Sequence, residues 1–440
     1  MIISPVKRIL DILKRGGYEA FVVGGCVRDS LLGHPPHDWD VTTNASPDDI
    51  QKLFDGWHTI PTGLQHGTVT VLADDLPVEV TTYRVDGHYT DHRHPDQVLF
   101  TTSLQEDLAR RDFTINAMAY HPDTGIIDPF GGQADLQAKL IRCVGNPYKR
   151  FEEDALRMMR ALRFASVLSF SIEPTTITAL QQQTPLLAAV SCERIYRECL
   201  LLLSGDQAED VLLSFPDVLS VIIPEIKAMQ GCPQHHPCHC FDVYTHTVKS
   251  VAAAPADPLV RLTMLFHDAG KPTCRSQDEN GCDHFYGHAK NSAALAKFRL
   301  MALKADRYTV DTVTQLVSLH DAVVPPTRPV IRRWLNRLGE ENFRRLLAVK
   351  RADLEAQAPS VLPQRRQEWQ QTMTVLDEIC TEKLCFSRSQ LAVNGRDLAD
   401  IGIPPGKEMG TMLNRLLDEV IADQLPNEKH ALLEWAAHQQ

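Results

Sequence analysis

The sequence predicts an α/β head that is followed by a long all-α remainder. Short apolar runs with β-like spacing alternate with helical stretches up to about residue 140. From about residue 145 onward these strand signals fade, and apolar residues recur with the 3.6-residue period of helices. The chain of 440 residues is long enough for roughly two to four domains.

The first predicted element is an amphipathic helix near the N-terminus. Ser4 can cap this helix and Pro5 can occupy its first turn, while Gly16-Gly17 would end it. After it, β-like runs predict the strands of the head, and strongly periodic runs predict helices beyond the head. The strands are expected at Ala20–Val23, Asp38–Thr42, Gly67–Leu72, Pro77–Tyr83 and Asn116–Tyr120, and two of the helices at Ala155–Leu168 and Val190–Leu203.

Composition and charge exclude several classes of protein. A hydrophobic fraction of 43% and a charged fraction of 23% are typical of a soluble globular protein. The net charge of −11 argues against a general nucleic-acid coat, although locally concentrated basic residues would still allow a nucleic-acid partner. No apolar run is long enough to span a bilayer, and residues 1–7 lack the layout of a signal peptide, so we expect a cytoplasmic protein without a membrane partner. The 11 cysteines have no regular spacing, which favours reduced thiols.

A Gly-Gly turn and two nearby aspartates are the most informative feature of the chain. Gly24 and Gly25 lie between an apolar run and a helical stretch, where backbone N–H groups can approach a polyphosphate. Asp38 and Asp40 lie two residues apart, so on a strand both side chains point to one face. Paired carboxylates beside a phosphate cradle suit Mg²⁺, which shares its ligands with substrate phosphates. The pattern therefore indicates a nucleotidyl-transfer site.

Two motifs carry a resemblance to a known family. Residues 24–33 read GGCVRDSLLG and precede the aspartate pair, and residues 110–118 read RRDFTINAM. They resemble the class II tRNA nucleotidyltransferases and bacterial poly(A) polymerases of the polymerase-β-like superfamily. The resemblance covers nearly the whole chain and implies four parts. These are a nucleotidyltransferase head at residues 1–140, a helical neck for base recognition at 141–205, a helical body with an HD-type metal site at 206–360, and a helical tail that binds tRNA at 361–440.

The activity that the resemblance implies is the untemplated addition of CCA to the 3′ end of tRNA. CTP and ATP would be the nucleotide substrates, pyrophosphate would be released, and two Mg²⁺ ions would assist the transfer. Addition of the terminal A alone and synthesis of poly(A) are the alternatives within the family. A metal-dependent HD phosphohydrolase is the alternative from a different class. The sequence makes no prediction about the oligomeric state.

The resemblance assigns roles to the residues of the head. Asp38 and Asp40 would hold the Mg²⁺ ions and Glu79 would supply a third carboxylate, with a half-exposed strand acid as the alternative for Glu79. The nucleotide would be positioned by Gly24, Gly25, Arg28, Arg111, Asp112 and Asn116. Arginines supply forked donors to triphosphate oxygens, and a surface salt-bridge cluster is the alternative. Residues 83–96 are polar and aperiodic, which predicts a mobile loop; in the family such a loop is needed to add the terminal A.

The resemblance assigns recognition of the incoming base to two residues of the neck. Asp154 and Arg157 are three residues apart in a helical pattern, which predicts that they share one helix face. A carboxylate can accept from the exocyclic amine of cytosine or adenine while a guanidinium donates to the ring nitrogen, and uracil and guanine reverse both polarities. Arg160 and Arg163 continue this face toward the triphosphate or the tRNA. An ordinary intrahelical ion pair is the alternative.

A second constellation lies in the predicted body. Residues 265–272, LFHDAGKP, resemble the signature of the HD superfamily. The resemblance implies that His246, His267, Asp268 and Asp353 bind a divalent metal, and that His288 and His320 serve a second metal or bind phosphate. An active phosphohydrolase, a structural metal site and a scaffold that binds tRNA all remain open. Residues 232–240 carry a Cys/His cluster whose spacing is not that of a zinc finger, so reduced thiols are favoured over zinc.

The densest basic region precedes the tail. It comprises Arg328, Arg332, Arg333, Arg337, Arg344, Arg345, Lys350 and Arg351. On helices these side chains would line a path for tRNA, and a solvated helix surface is an equal alternative. Residues 402–410, GIPPGKEMG, resemble the C-terminal segment with which the family contacts the tRNA elbow.

Overall fold

The computed structural model describes residues 2–64, 67–87 and 98–439. The chain divides into two compact units, Met1–Pro224 and Glu225–Gln440. Residues 88–96 of the predicted mobile loop lie outside the described residues. In the part of the chain that the structure describes, no helix combines the length and the apolar character that a membrane span requires.

The first unit contains strands and helices in alternation, followed by helices. Its strands are β1 (Ala20–Val23), β2 (Trp39–Thr43), β3 (Thr59–Gly63), β4 (Thr68–Ala73), β5 (Leu76–Thr82), β6 (Arg84–Asp86), β7 (Val98–Phe100), β8 (Ala119–His121), β9 (Gly125–Ile127), β10 (Leu140–Ile141) and β11 (Ser171–Ile172). Its α-helices are α1 (Ser4–Arg15), α2 (Gly25–Leu31), α3 (Pro47–Leu53), α4 (Leu104–Ala109), α5 (Gly132–Gln137), α6 (Pro147–Glu153), α7 (Leu156–Leu168), α8 (Pro174–Gln183), α9 (Cys192–Ser204), α10 (Ala208–Ser214) and α11 (Pro216–Ile222).

A mixed sheet forms the head of this unit. Among the described residues its strand order is β3-β4-β5-β2-β1-β8-β9. β2 runs parallel to β5 and antiparallel to β1, so the two strands that bear the predicted carboxylates are direct neighbours. Val6, Ile9, Leu10 and Leu13 follow the i, i+3, i+4, i+7 spacing on α1, and this apolar face is buried in the same core as β1 and β2.

The predicted α/β head and the largely helical remainder are confirmed, with local differences. β2 begins at Trp39, which leaves Asp38 in the bend before the strand. Asn116 ends a 3₁₀-helix, Thr114–Asn116, so the strand predicted from Asn116 begins only at Ala119. Ser4 is the first residue of α1 and makes no cap, since Ile3 occupies the N-cap position. β3 escaped prediction because its sequence TIPTG contains proline and glycine, which disfavour strands.

Helices α7 and α9 pack together beyond the head. Ser166 on α7 donates a hydrogen bond of 2.7 Å to the carbonyl oxygen of Leu202 on α9. A Cβ at Gly205 would lie 2.3 Å from the hydroxyl of Ser166, so the chain can leave α9 on this path only with glycine. A short parallel pair, β10 with β11, interrupts a region that was predicted to be wholly helical.

The second unit is almost entirely helical. Its elements are α12 (Glu225–Met229), α13 (Val243–Ala253), α14 (Pro258–Phe266), α15 (Lys271–Cys274), β12 (Ser276–Gln277), β13 (Asp283–His284), α16 (His288–Ala302), α17 (Arg307–Leu319), α18 (Arg328–Glu355), α19 (Leu362–Thr381), α20 (Gly395–Asp400), α21 (Lys407–Ile421) and α22 (Lys429–Ala437). α13, α14, α17 and α18 pack against one another. Gly339, with a φ of 72°, kinks α18. The last three helices share a separate apolar cluster that includes Leu398, Leu416 and Leu432.

Candidate functional site

The turn between β1 and α2 requires glycine at position 24. Gly24 has a φ of +79°, and a Cβ there would lie 2.9 Å from Nη1 of Arg111 and 3.7 Å from Oδ2 of Asp40. A side chain would therefore meet the arginine in a backbone conformation that L-residues rarely adopt. At Gly25 a Cβ would meet Nη2 of Arg28 at 3.6 Å, which is an ordinary contact. The turn thus brings backbone, a guanidinium and a carboxylate to one place.

Two of the predicted metal-binding carboxylates lie on neighbouring strands. Asp40 on β2 pairs in register with Glu79 on β5, so their side chains share one sheet face. Burial raises the pKa of Asp40 to about 6; Arg111 opposes this shift, and the negative charges of Glu79 and Asp38 add to it. A divalent cation would favour the ionised form of Asp40, so this set of oxygen donors fits such an ion.

The head carboxylates do not form a closed cage. In the described residues, the sets of three ligand atoms that lie within 4.8 Å of one another all belong to the second unit. Asp38 is exposed and lies just outside β2. An open arrangement is expected where substrate phosphates and water complete the coordination of Mg²⁺.

A hydrogen-bonded chain links four of the residues predicted to bind the nucleotide. Arg28 donates from Nη1 to Oδ1 of Asn116 at 2.7 Å, and Asn116 donates to Oδ1 of Asp112 at 3.1 Å. Arg160 on α7 donates from Nε to Oδ2 of Asp112 at 2.8 Å. Burial alone would raise the pKa of Asp112, but the charge of Arg160 and the bond from Asn116 outweigh it and lower the pKa. Asp112 therefore stays ionised and ties the head to α7.

Asp107 is a buried residue of the site that the sequence analysis missed. It lies 2.8 Å from Nη2 of Arg110 and 3.6 Å from Nη2 of Arg111, and it accepts a hydrogen bond of 3.1 Å from the hydroxyl of Thr42. Burial would raise its pKa, but the two arginines lower it. The sequence signal for this residue was its spacing, because Asp107 lies three residues before Arg110 and four before Arg111 in a helical stretch. Asp107 orients Arg111 toward the Gly24 turn.

The neck differs from its prediction at Asp154. Helix α6 ends at Glu153 and α7 begins at Leu156, so Asp154 lies in the break and does not share a helix face with Arg157. The Asp154 carboxylate accepts a hydrogen bond of 3.1 Å from the N–H of Leu156, the first residue of α7. Its partner is Arg194 on α9, whose Nη2 lies 2.7 Å from Oδ2.

Arg157 is held by other groups. Its Nη1 donates to Oε2 of Glu153 at 2.7 Å and its Nη2 to the carbonyl oxygen of Arg110 at 2.9 Å. Arg160 and Arg163 lie further along α7, and both approach Glu198 on α9, at 3.8 Å and 3.1 Å. Burial lowers the pKa of Arg163 to about 10, Glu198 opposes the shift, and the charge of Arg160 adds to it.

In the second unit, four histidine rings are oriented in the same way. Each has Nδ1 beside a backbone carbonyl oxygen: His246 with Ala356 at 3.2 Å, His267 with Met264 at 2.7 Å, His288 with Phe285 at 2.8 Å and His320 with Val317 at 2.7 Å. A carbonyl oxygen can only accept, so each Nδ1 carries the proton. In the neutral rings each Nε2 therefore presents a lone pair, which is how histidine binds metals.

These Nε2 atoms converge in two pairs on opposite oxygens of Asp268. His246 and His267 face each other at 3.4 Å and lie 3.5 Å and 3.2 Å from Oδ2. His288 and His320 face each other at 3.2 Å and lie 3.5 Å and 3.8 Å from Oδ1. Each pair with Asp268 forms a set of ligand atoms within 4.8 Å of one another. Two facing Nε2 atoms repel unless a proton or a metal cation lies between them. Each histidine pair with its Asp268 oxygen would therefore fit one divalent metal position.

Asp268 is buried and under-satisfied. Neither of its oxygens makes a hydrogen bond of good geometry, although Nζ of Lys271 lies 2.7 Å from Oδ2. Asp353 lies beside the pair formed by His246 and His267, with its Oδ1 2.9 Å from Nε2 of His246. Burial would lower the pKa of His267, but Asp268 and Asp353 outweigh it and raise the pKa to about 10. The site thus favours positive charge.

A cavity of about 760 Å³ in the second unit opens onto this cluster. Asp268, His288, His320 and Asp353 line it together with Lys271, Lys350 and Arg365 and the rings of Phe285, Tyr286 and Trp369. Its cations and rings suit a phosphorylated ligand of nucleotide size.

Three family comparisons match parts of the chain. Residues 20–142 match the Poly A polymerase head domain, residues 169–229 the probable RNA- and SrmB-binding site of polymerase A, and residues 285–436 the putative domain 2 of tRNA nucleotidyltransferase. The CCA-adding enzyme of Levilactobacillus brevis is 36% identical over 428 residues, which cover 97% of this chain and 96% of the relative. The chain belongs to the CCA-adding enzyme family.

Two further comparisons agree with membership of the CCA-adding enzyme family. The CCA-adding enzyme of Enterococcus faecalis is 36% identical over 443 residues, covering 99% of this chain and 95% of the relative. The crystal structure of the Bacillus stearothermophilus CCA-adding enzyme in complex with CTP superposes with a TM-score of 0.72 and 30% identity over 100% of this chain and 98% of that one. The resemblance drawn from the two motifs is therefore confirmed.

In this member of the CCA-adding enzyme family, the Cys/His cluster does not assemble into a ligand set. Within the described residues, no three ligand atoms of residues 232–240 lie within 4.8 Å of one another. Cys238 instead accepts from Nη2 of Arg365 at 3.5 Å. A set that the sequence analysis missed comprises Asp278, Cys282 and His284 on the exposed β12–β13 hairpin. Asp278 there accepts from the backbone N–H of Cys282 at 3.0 Å, which already explains it as a turn residue.

Six of the eight cations in the predicted basic region have a described ion-pair or hydrogen-bond partner, and Arg337 lies over the ring of Trp334 at 5.3 Å. Arg328 pairs with Glu382, Arg332 with Asp423, Arg344 with Asp377, Arg345 with Asp257, and Arg351 with Glu355, while Lys350 donates to the carbonyl oxygen of His320. Arg332 is also buried. This arrangement favours the structural interpretation of the region over a continuous path for tRNA in this family member.

Proposed function

We propose that this chain catalyses the untemplated addition of C, C and A to the 3′ end of tRNA. CTP and ATP are the nucleotide substrates and pyrophosphate is the leaving group. The observation that carries the proposal is the juxtaposition of Asp40, Glu79 and Arg111 at the Gly24 turn. It is supported by relatives named CCA-adding enzymes that match nearly the full length.

The side chains of the head position the nucleotide for in-line displacement. The 3′ oxygen of the tRNA forms a bond to the α-phosphorus as the bond from that phosphorus to the oxygen that bridges the α- and β-phosphates breaks. Pyrophosphate leaves, and the hydroxyl proton passes to solvent water. Asp38 and Asp40, with Glu79 beside them, would hold divalent cations, Mg²⁺ above all, which supply charge neutralisation and lower the pKa of the attacking hydroxyl. Arg111 approaches the phosphates beside the N–H groups of the turn, oriented by Asp107.

Base selection is assigned to Asp154 and Arg157, with Arg194 added by the geometry. One oxygen of Asp154 lies 2.7 Å from Nη2 of Arg194, which orients the carboxylate to accept from the exocyclic amine of cytosine or adenine. Arg157 donates to the ring nitrogen. Uracil and guanine present the opposite polarity, and leaving a buried polar group mismatched costs about 1–3 kcal/mol.

The four-part organisation accompanies this proposal. Residues 1–140 transfer the nucleotide and residues 141–205 select the base. Residues 206–360 carry the metal cluster, and residues 361–440 bind tRNA through shape and phosphate contacts. The reaction takes place in the cytoplasm.

A single assay tests the activity and separates it from its rivals within the family. Purified protein with Mg²⁺ receives a tRNA that ends before CCA, together with CTP, ATP or both, and products are resolved at single-nucleotide length. Two additions with CTP and a third only with ATP are expected. Addition of one A solely to a tRNA that already ends in CC makes the protein an A-adding enzyme, and long A tracts make it a poly(A) polymerase.

A second activity is favoured by one specific observation. Asp268 and its two facing histidine pairs fit two divalent metal positions, and Asp268, His288 and His320 line a cavity of about 760 Å³. We infer a metal-dependent phosphohydrolase that removes 2′,3′-cyclic or terminal phosphates. Asp268 and its histidine pairs would hold the divalent metal, which would supply an activated water. Hydrolysis of a phosphodiester that persists in Asp40→Asn and is lost in His267→Ala supports it. Hydrolysis that persists in both variants excludes it.

A further inference from the structure

One phenylalanine ring is surrounded by three guanidinium groups. The Cζ atoms of Arg163, Arg28 and Arg160 lie 4.2, 5.0 and 5.4 Å from the centroid of the Phe164 ring. Phe164 is 5% exposed. Contacts of this kind within about 6 Å are attractive because the face of the ring is negative, and they are strongest where water is excluded.

The ring lies where like charges meet. Arg160 and Arg163 are three residues apart on α7, and the charge of Arg160 contributes to lowering the pKa of Arg163. Asp112 and Glu198 approach these cations as ion-pair partners. A leucine would fill much of the same space without a negative face, and the cations would then repel one another without this compensation.

Phe164 also joins two parts of the proposed nucleotide site. Arg28 comes from α2, beside the Gly24 turn, and Arg160 comes from α7. The chain of bonds from Arg28 through Asn116 and Asp112 to Arg160 runs around one side of the site, and the ring contacts both ends of it. The ring therefore contacts both terminal arginines directly, in addition to the chain of bonds that links them.

We propose that Phe164 is a positioning residue for the incoming nucleotide. Its ring sets the places of Arg28 and Arg160, so that they meet the triphosphate and sugar of CTP and ATP alike. The inference rests on the proposed nucleotidyl transfer. Because triphosphate and sugar are common to all nucleotides, loss of the ring weakens CTP and ATP equally and leaves base choice unchanged.

The test compares three substitutions at this position. Phe164→Leu and Phe164→Met remove the ring but keep an apolar side chain, and Phe164→Tyr keeps the ring. Steady-state addition of C and of A to suitable tRNA acceptors yields KM and kcat for each nucleotide. We expect KM for both to rise about tenfold in the Leu and Met variants, with kcat nearly unchanged, and to return to the wild-type value in the Tyr variant.

Phe170→Leu is the matched packing control. Phe170 is a buried phenylalanine just beyond the end of α7. Its variant should lower the thermal unfolding midpoint as Phe164→Leu does, with KM unchanged. If Phe164→Leu does not fold, KM of the Phe164→Met variant is compared with that of the wild type instead.

The outcomes separate this inference from the function on which it rests. An active wild type whose KM is unchanged in the Leu and Met variants overturns the positioning role alone. A KM that rises as much in Phe164→Tyr as in Phe164→Leu also overturns it, because the ring would then not matter. A wild type that extends tRNA with neither nucleotide overturns the proposed function itself.

Discussion

Asp40 on β2 and Glu79 on β5 are paired residues of two parallel strands, and Arg111 lies against the turn beside Asp40. The two acids differ in environment. Burial raises the pKa of Asp40 to about 6, whereas Glu79 is exposed on its strand. Asp40 is partly buried, and charge at a less exposed position is less screened by water and salt. Removing the carboxylate charge should therefore lower the rate of nucleotide addition more at Asp40 than at Glu79.

Asp40→Asn should therefore lower the rate of nucleotide addition by about a hundredfold to a thousandfold with both CTP and ATP. Glu79→Gln should lower the rate of nucleotide addition about tenfold or less, since the carboxylate of Glu79 is exposed. Single-turnover extension of tRNA measures both rates. Asp75→Asn, an exposed acid in the β4–β5 turn, is the control and should retain the full rate. Equal losses in Asp40→Asn and Glu79→Gln would contradict this ranking.

The ion pair between Asp154 and Arg194 makes a second prediction. Arg194→Met removes the cation that orients the carboxylate, so Asp154 should discriminate less well between an amine donor and a carbonyl acceptor on the base. We expect the preference for CTP over UTP to fall about tenfold, the equivalent of one mismatched polar group. Competition assays with both nucleotides measure it.

Arg197→Met provides the control for the Arg194 variant. Arg197 is exposed on the same helix, α9, three residues further along the chain. An unchanged preference for CTP in Arg194→Met would show that Arg194 has no part in base selection. A reduced preference for CTP over UTP in both variants would indicate a general destabilisation of α9.

Much of the head could be predicted because its signals are local. The run Ala20–Val23 is apolar and β-rich and ends at Gly24-Gly25, and β1 has those bounds. Asp40 could be assigned to a strand for the same reason, but Asp38, which was predicted to share its face of the strand, lies before β2. The bend that leaves Asp38 outside β2 depends on neighbouring strands, which no local pattern records.

The geometry of the neck and of the histidine cluster could not be predicted from local patterns, because it depends on contacts between residues far apart in the sequence. Residues 151–157 have helix-forming side chains, and the break at Asp154 is accompanied by a partner forty positions away, Arg194. The ligand roles of His246 and Asp353 came from family resemblance, because more than a hundred residues separate them. The proton positions on the rings follow from backbone carbonyls, such as that of Met264 beside His267, which only the folded chain provides.

Asp112 makes the stability of the fold depend on pH. Burial would raise its pKa, but Arg160 and Asn116 lower it, so the folded state favours the ionised carboxylate. A lowered pKa means that this stabilisation is fully present above the unfolded pKa of about 4 and is lost as the pH falls through the folded value. Asp112→Asn should be less stable than the wild type by about 2 kcal/mol at pH 7, and the gap should narrow below about pH 4.

Thermal unfolding of both proteins between pH 7 and pH 3 measures this gap. Asp123→Asn is the control, because Asp123 is an exposed acid that pairs with Lys14 at the surface. Its unfolding midpoint should follow the wild type closely at every pH. A stability difference between Asp112→Asn and the wild type that grows as the pH falls would contradict the prediction.

Asp268 makes the last prediction, because its two oxygens face different histidine pairs. If each pair holds one metal with Asp268 as the bridge, His320→Gln should remove about one equivalent of Ni²⁺ and Asp268→Asn about two. Equilibrium dialysis followed by metal analysis measures the bound ion, in an Asp40→Asn background so that the head contributes little. His430→Gln, an exposed histidine on α22 with 92% of its side chain accessible, is the control. Loss of one equivalent of Ni²⁺ in both cluster variants would mean a single metal position. Undiminished binding in both variants would mean that the cluster holds no metal.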